Sequence, residues 1–239
     1  MTKRFYKDVA AERRADGYAI LLDGRGVNTP ARKPLLLPTQ ALADAVAEEW
    51  RVQGERIDPG SMRLTGLANA AIDRVGADRS DFERELANFG DTDLLYYRAT
   101  DPEELVARQA SVWDPVLDWA RRRFDIDFHL AQGVMHVDQP RQTLDRLNAA
   151  LSARDDLTLA AFMRTVPLSG SLVLMLAVDE GAVTPDAAWE ASILDEMWEE
   201  QLWGEDDLAM ANRALRKADY DAAWHFRWLS EAADARPER

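Results

Sequence analysis

A β-hairpin is predicted by the stretch Tyr18-Ala-Ile-Leu-Leu-Asp-Gly-Arg-Gly-Val-Asn-Thr29. The apolar run from Tyr18 to Leu22 favours a strand, and Val27 to Thr29 forms a second extended stretch. Asp23-Gly24 lies between the two runs, and this dipeptide is a strong hairpin signal. The sequence therefore predicts an antiparallel sheet in this part of the chain.

The sheet is predicted to end in the mid-thirties. Pro34 and Pro38 bracket three leucines, a segment that can be a short edge strand but cannot be a helix interior. Thr39 follows as a helix N-cap, and apolar residues then recur at helical spacing until Gly54. One helix is therefore expected to follow the sheet directly.

Most of the chain after residue 60 has helical character. Candidate helices cover residues 62–74, 79–89, 102–124, 140–153, 157–178, 185–203 and 206–232. Strands followed by a run of helices predict an α+β protein. We divide it into a small β-rich N-terminal domain with one helix, residues 1–60, and a larger helical C-terminal domain, residues 61–239.

The composition limits the class of partner. The chain has 239 residues, with 29 Lys and Arg against 43 Asp and Glu, and its formal charge is -14. The electric field of a protein with this negative charge repels phosphate backbones and anionic membranes, so nucleic acid is not an expected partner. A basic or polar surface on another protein suits it better. The absence of cysteine excludes disulfides and thiolate metal sites.

The sequence gives no sign of export or membrane insertion. The first residues have no apolar stretch after their basic side chains, so no secretory signal is predicted. The longest apolar run, Leu172 to Val178, is too short to span a bilayer. We expect a cytoplasmic protein.

Motifs for catalysis and cofactor binding are missing. Gly24-Arg25-Gly26 is an incomplete dinucleotide fingerprint, no Walker loop occurs, and no serine has the flanking glycines of a nucleophile elbow. The histidines, His129, His136 and His225, have no ligand spacing and are expected to be structural or exposed. The sequence predicts no enzyme activity and no cofactor.

The most unusual feature is an acidic segment from Asp179 to Asp207. It holds eleven Asp and Glu residues and no Lys or Arg, and three tryptophans are interleaved with them. On a continuous helix, Glu196 and Glu200 share a stripe with Trp189 and Trp203, and Trp198 lies on a different face. Two carboxylates four residues apart repel each other, and desolvating them is costly unless they are paired.

Three interpretations of the acidic segment are open. In the first interpretation, arginines of the same protein pair with the acids, or the acids lie solvated at the surface. Alternatively, the acids and tryptophans form a docking patch for a partner, since aromatic anchors and complementary charge are typical of interface hot spots. A carboxylate metal site is the third, although the Glu-x-x-His pattern of di-iron helices is absent.

Other tryptophans are expected in the core. Trp113 and Trp119 lie on the candidate helix 102–124, and Trp224 and Trp228 lie four residues apart near the C-terminus. Aromatic stripes at helical spacing are usually buried.

Several short pieces occur in the order found in one known family. They are Arg4-Phe5-Tyr6-Lys7, residues 42–53, Asp91-Thr92-Asp93, Trp113-Asp114-Pro115, and residues 194–204, which end in Gln201-Leu202-Trp203-Gly204. With this ordered set, the chain resembles the assembly-factor family that chaperones the α subunit of the ATP synthase F(1) head.

The resemblance implies a β-rich domain joined to a helical one, and an activity. That activity is binding the unassembled α subunit and preventing its aggregation until the β subunit takes its place, without nucleotide hydrolysis. It also implies a functional glutamate, for which Glu196 is the best match and Asp195 the neighbouring one. Glu200, Trp203 and Trp198 complete the predicted partner-binding set.

The resemblance also bears on location and leaves two alternatives. Mitochondrial relatives act in the matrix, whereas this chain looks like a bacterial member acting in the cytoplasm. The alternatives are a carboxylate- or histidine-dependent metalloenzyme and a structural accessory subunit of the synthase.

Overall fold

The computed structural model describes residues 2–133 and 135–231. In this part of the chain a small sheet is followed by helices, so the predicted α+β class is confirmed. The strands are β1 (Val9–Arg14), β2 (Gly17–Leu22), β3 (Arg25–Gly26), β4 (Leu36–Leu37), β5 (Tyr97–Arg98) and β6 (Ala131–Gln132). The α-helices are α1 (Gln40–Arg51), α2 (Arg63–Ala70), α3 (Arg79–Ala87), α4 (Glu103–Phe124), α5 (Arg141–Ser152), α6 (Asp156–Ser169), α7 (Leu172–Asp179), α8 (Pro185–Ser192), α9 (Leu194–Trp203) and α10 (Asp207–Glu231). Residue 232, the predicted end of the last helix, lies outside the described residues.

The N-terminal sheet has the order β1-β2-β3, with β4 also paired to β2, and every pairing is antiparallel. Asp23 and Gly24 have φ angles of 48° and 77° and form a two-residue turn that pairs Leu22 with Arg25. The predicted hairpin is therefore confirmed. Its second strand begins at Arg25, before the predicted start at Val27, because so short a turn brings the next residue straight into register.

Strand β1 was not predicted. Three of its six residues are charged, and its side chains are exposed or only half-buried. Its strand conformation comes from full pairing with β2, from Val9 opposite Leu22 to Arg14 opposite Gly17. A strand whose polar residues face solvent gives a weak signal in a single sequence.

The chain forms two compact units. Of the described residues, the first unit contains 2–79, 156–161 and 221–231, and the second contains 80–155 and 162–220. These bounds differ from the predicted division at residue 60. The first unit extends past that point because the Glu49 carboxylate accepts the backbone N–H groups of Leu64 and Thr65, each at 2.8 Å, at the start of α2.

The core of the first unit joins residues that are distant in sequence. Ile20, Leu42 and Val46 are fully buried and pack in one cluster with Ala223 and Phe226 of α10. The Thr39 hydroxyl accepts the N–H of Leu42 as the N-cap of α1. The same hydroxyl donates to the carbonyl of Leu229 at 2.6 Å. The C-terminal part of α10 is thus an integral part of this unit.

The second unit is built around α7 and α4. All residues of α7 from Leu172 to Val178 are buried, as expected of a helix that is apolar on every side. On α4, Trp113 is buried and its indole nitrogen donates to the Ala191 carbonyl at 2.9 Å. The prediction of one helix over 157–178 was wrong. Gly170, with φ 69°, ends α6, and the Ser171 side chain caps the start of α7.

Asp93 connects two segments of the second unit. Its side chain is fully buried and accepts the N–H groups of Leu95, at 3.1 Å, and Val173, at 2.9 Å. Burial raises the pKa of the Asp93 carboxyl from 3.8 to about 6, and hydrogen bonds from Ser171 and backbone N–H groups offset part of this effect. The carboxyl group therefore holds the first turn of α7 against the short helix Leu94–Tyr96.

The remaining histidines and tryptophans agree with expectation except at Trp119, which is only half-buried, and at Trp228. His129, His136 and His225 are exposed, as predicted. Trp224 is buried, whereas Trp228 is 52% exposed and the prediction that it lies in the core was wrong. Four residues along a helix correspond to about 400°, so Trp228 is rotated some 40° from Trp224, toward solvent. In the part of the chain described, no helix combines the length and apolar character needed to cross a membrane.

Candidate functional site

The acidic segment forms a helical hairpin in the second unit. We call residues 194–220, which comprise α9, a short turn and the first part of α10, the acidic hairpin. Gly204 ends α9 with a φ angle of 93°, a value that favours glycine. The Asp206 side chain then accepts the N–H groups of Leu208 and Ala209, at 2.7 and 3.1 Å, and so starts α10.

Four charged side chains join the two helices of the acidic hairpin, and we call them the ion network. Arg213 Nη2 lies 2.6 Å from Glu200 Oε2, and Arg213 Nη1 lies 3.3 Å from Glu196 Oε1. Arg216 Nη2 lies 2.5 Å from Glu196 Oε2. The side chains of Arg213 and Glu200 are only 14% and 15% exposed. The ion network is therefore partly shielded from solvent, where ionic interactions are stronger than at a fully exposed surface.

Helix α9 is also attached to α4. Asp195 Oδ1 accepts a hydrogen bond from Gln109 Nε2 at 2.8 Å. Gln109 is buried, and its side-chain amide oxygen, Oε1, accepts a hydrogen bond from the backbone N–H of Ala99. Nearly two turns of α9 further on, the Gln201 side-chain oxygen accepts a hydrogen bond from Arg108 at 3.0 Å. These bonds fix one side of α9 against the body of the second unit.

The acidic hairpin is exposed at the end that holds its turn. Every residue from 201 to 212 is exposed. The three most exposed large apolar side chains here are Leu202, Trp203 and Leu208, at 58%, 85% and 71% exposure, and we call them the apolar tip; Met210, at 38%, lies beside them in the chain. Large apolar side chains grouped at a surface are typical of a protein interaction site.

The predicted helix over 185–203 is two helices. Ile193 leaves helical geometry, so α8 ends at Ser192 and α9 begins at Leu194. The single stripe that joined Trp189 to Trp203 was therefore wrong. Trp189 is buried and packs against Tyr220, with the ring centroids 5.2 Å apart, while Trp203 is exposed.

The structure places the five predicted partner-binding residues in different surroundings. It brings Glu196 and Glu200 together in the ion network and turns Asp195 toward α4. Trp198 is half-buried, and Trp203 is the most exposed of the five.

The other acids of the segment are divided between pairing and solvation. Asp179 and Glu180 both bind Arg154, and Asp186 binds Lys217. Asp206 caps α10, and the four remaining acids are exposed and have no ion pair with a residue that the structure describes: Glu190, Glu199, Glu205 and Asp207. Across 2–133 and 135–231, no group of three or more His, Asp or Glu side chains is arranged to hold a metal ion.

Comparison with known proteins supplies the family. A sequence model of the family described as ATP12 chaperone protein matches residues 3–121. The crystal structure of Atp12 from Paracoccus denitrificans is 40% identical, with a TM-score of 0.90, over 96% of this chain and 99% of that one. The chain belongs to the ATP12 chaperone family. This result confirms the resemblance to an ATP synthase assembly chaperone.

Further relatives of this ATP12 family member span most of its length. A mutant form of the P. denitrificans protein is 39% identical, with a TM-score of 0.90, over 96% of this chain and 98% of that one. The mitochondrial protein atp12 of Schizosaccharomyces pombe is 26% identical over 214 residues, which are 84% of this chain and 74% of the relative. The match thus includes both compact units.

Sequence reasoning missed the residues that hold the acidic hairpin together. Arg213 and Arg216 pair with Glu196 and Glu200 across the turn, and Gln109 binds Asp195. A signal for the arginines was present, because they lie three residues apart on the next helix, and Glu196 and Glu200 lie four apart. Such pairs face each other when two helices run antiparallel.

Proposed function

We propose that this ATP12 family member binds the unassembled α subunit of the ATP synthase F(1) head in the bacterial cytoplasm. It keeps that subunit from aggregating until the β subunit takes its place. Membership of a family of ATP synthase assembly chaperones supports this proposal. Release needs only a partner that binds the α subunit more tightly, so nucleotide hydrolysis has no part in it.

The observation that carries the proposal is the exposure of the apolar tip within an acidic surface. Trp203 is 85% exposed, and the exposed acids Glu199, Glu205 and Asp207 lie within four residues of it. An unassembled subunit exposes apolar surface that would otherwise aggregate. An exposed tryptophan covers such surface, while the acids raise the rate of encounter with a basic partner.

The proposed binding surface consists of α9 and the start of α10. It contains the five residues predicted from the sequence, Asp195, Glu196, Trp198, Glu200 and Trp203, together with the rest of the apolar tip. Beside it lies a cavity of about 480 Å³, lined largely by apolar side chains of α4, α8 and α9. The cavity gives the surface a concave side that can receive an apolar side chain of the partner.

The test uses two tryptophans that differ in location. Purified α subunit is diluted from denaturant with and without the chaperone, and light scattering measures its aggregation. Trp203→Ala should weaken both the suppression of aggregation and the binding measured by calorimetry. Trp228→Ala is the matched control, because Trp228 is also exposed but lies in the first unit.

Three results would overturn the proposal. The wild-type chain could fail to bind the α subunit, or Trp228→Ala could weaken binding as much as Trp203→Ala. The chain could also co-purify with the finished synthase, which would favour a structural accessory subunit instead.

A further inference from the structure

The ion network indicates how the two glutamates act on the partner. We propose that Glu196, Glu200, Arg213 and Arg216 form a charge latch that positions the apolar tip, and that the glutamates do not themselves contact the partner. This inference rests on the proposed function and assigns separate roles within the same surface. The arginines become positioning residues for partner binding.

The first argument is that the carboxylates are already engaged. Both oxygens of Glu196 accept from arginines, Oε1 from Arg213 and Oε2 from Arg216. Glu200 is 15% exposed and is held by Arg213 at 2.6 Å. A basic group of a partner would have to share each carboxylate with an arginine that already binds it. Its attraction to the carboxylate is then opposed by repulsion from that arginine, so the contact gives little net affinity.

The second argument is that the arginines make the polar connection between α9 and α10. Among the residues that the structure describes, every hydrogen bond and ion pair joining these two helices passes through Arg213 or Arg216. Arg213 Nη1 also donates a hydrogen bond to Met197 Sδ at 3.0 Å. Loss of the arginines would therefore leave the two helices joined only by their turn and apolar packing.

The third argument is that the latch is fixed to the core. The Arg216 guanidinium lies 5.8 Å from the ring centre of Trp189, which is buried on α8. Arg216 thus connects the acidic hairpin to a buried residue of α8, outside the hairpin. A tip held in advance loses less conformational entropy on binding than a mobile one, and its affinity is higher for that reason.

Charge-reversal variants distinguish the charge latch from direct attraction between the glutamates and a basic partner. Under the latch, Glu196→Arg and Arg216→Glu each weaken binding of the α subunit, by about tenfold or more, because each places like charges together. Under direct attraction to a basic partner, Arg216→Glu adds negative charge and strengthens binding. The two models therefore predict opposite signs for the same substitution.

The deciding variant is the double exchange, Glu196→Arg with Arg216→Glu, which restores the pair in reversed order. We expect it to bind more tightly than Glu196→Arg alone but less tightly than wild type, because the arginine introduced at position 196 also lies against Arg213. Amide hydrogen exchange over residues 194–203 should rise in each single variant and be lower in the double variant than in Glu196→Arg. Glu85→Arg is the control, since it makes the same change of charge at an exposed position on α3 of the second unit, outside the proposed binding surface.

Each outcome supports or overturns the latch. If a single reversal does not fold, Arg216→Gln removes one ion pair without placing like charges together, and it should give a smaller loss of affinity. A folded double exchange that binds no better than Glu196→Arg alone would contradict the latch, as would a Glu85→Arg variant as weak as Glu196→Arg. Failure of the wild-type chain to bind the α subunit would instead contradict the proposed function.

Discussion

The free energy of unfolding of Asp93→Asn, measured relative to wild type, should rise progressively as the pH rises from 4 to 7. The Asp93 carboxyl is fully buried, and its pKa is raised from 3.8 to about 6 by loss of hydration. The folded state therefore holds the proton more tightly than the unfolded state does. Wild-type stability then falls as the pH rises from 3.8 through 6, whereas asparagine stays neutral throughout.

The size of the effect follows from the difference between the two pKa values. One pKa unit corresponds to about 1.36 kcal/mol, so the charged carboxylate lowers the free energy of unfolding at pH 7 by about 3 kcal/mol. Asparagine also loses one acceptor for the N–H groups of Leu95 and Val173, which lowers stability by about 1–3 kcal/mol at every pH. The informative quantity is therefore the change with pH in the difference between variant and wild type.

Urea unfolding at pH 4, 5, 6 and 7, followed by circular dichroism, measures this difference. Glu103→Gln, which removes a carboxylate from an exposed position in the first turn of α4, controls for the general loss of one charge. A difference for Asp93→Asn that stays constant within about 0.5 kcal/mol over the whole range would refute the reasoning.

Three substitutions test the packing that supports the two units, each by urea unfolding. Trp113→Ala removes a buried ring and its hydrogen bond and should lower the free energy of unfolding by about 3–5 kcal/mol. Gly17→Ala should lower it by about 1–3 kcal/mol, because φ is 144° and the new Cβ would lie 2.5 Å from the Leu37 carbonyl oxygen. Glu49→Ala should lower it by about 1–3 kcal/mol, since two N–H groups at the start of α2 lose their acceptor.

The size of each loss is what tests the structure. A loss below about 1 kcal/mol for Trp113→Ala would mean that the ring is not in the core. Unchanged stability for Gly17→Ala would contradict the close approach of β4 to Gly17. Gly24→Ala is its control, because nothing lies within 4 Å of the Cβ position there. For Glu49→Ala the neighbouring Glu48→Ala is the control, as Glu48 is exposed and binds only Arg51 among the described residues.

The sequence predicts those parts of the fold whose signals are local. Asp23-Gly24 carries its own turn geometry, so the hairpin is predicted from two residues. Strand β1 is different, because its conformation depends on pairing with β2, and three of its six residues are charged. The break at Ile193 was missed for a similar reason, since no glycine or proline marks it.

The candidate site was predicted as a concentration of acids, but its arrangement was not. The charge of the segment and the exposed Trp203 are visible from composition and resemblance. The pairing of Glu196 with Arg213 and Arg216 depends on the reversal at Gly204, which brings residues 17 and 20 positions apart side by side. A helical wheel treats one helix at a time and contains no information on a neighbouring helix.

The first unit takes its core from both the early and the late parts of the chain. Leu42 and Val46 of α1 pack in one cluster with Ala223 and Phe226 of α10, about 180 residues later. During synthesis on the ribosome, the apolar face of α1 therefore stays uncovered until α10 has been made. A protein proposed to protect an unassembled subunit thus exposes an apolar face of its own while about 180 further residues are synthesised.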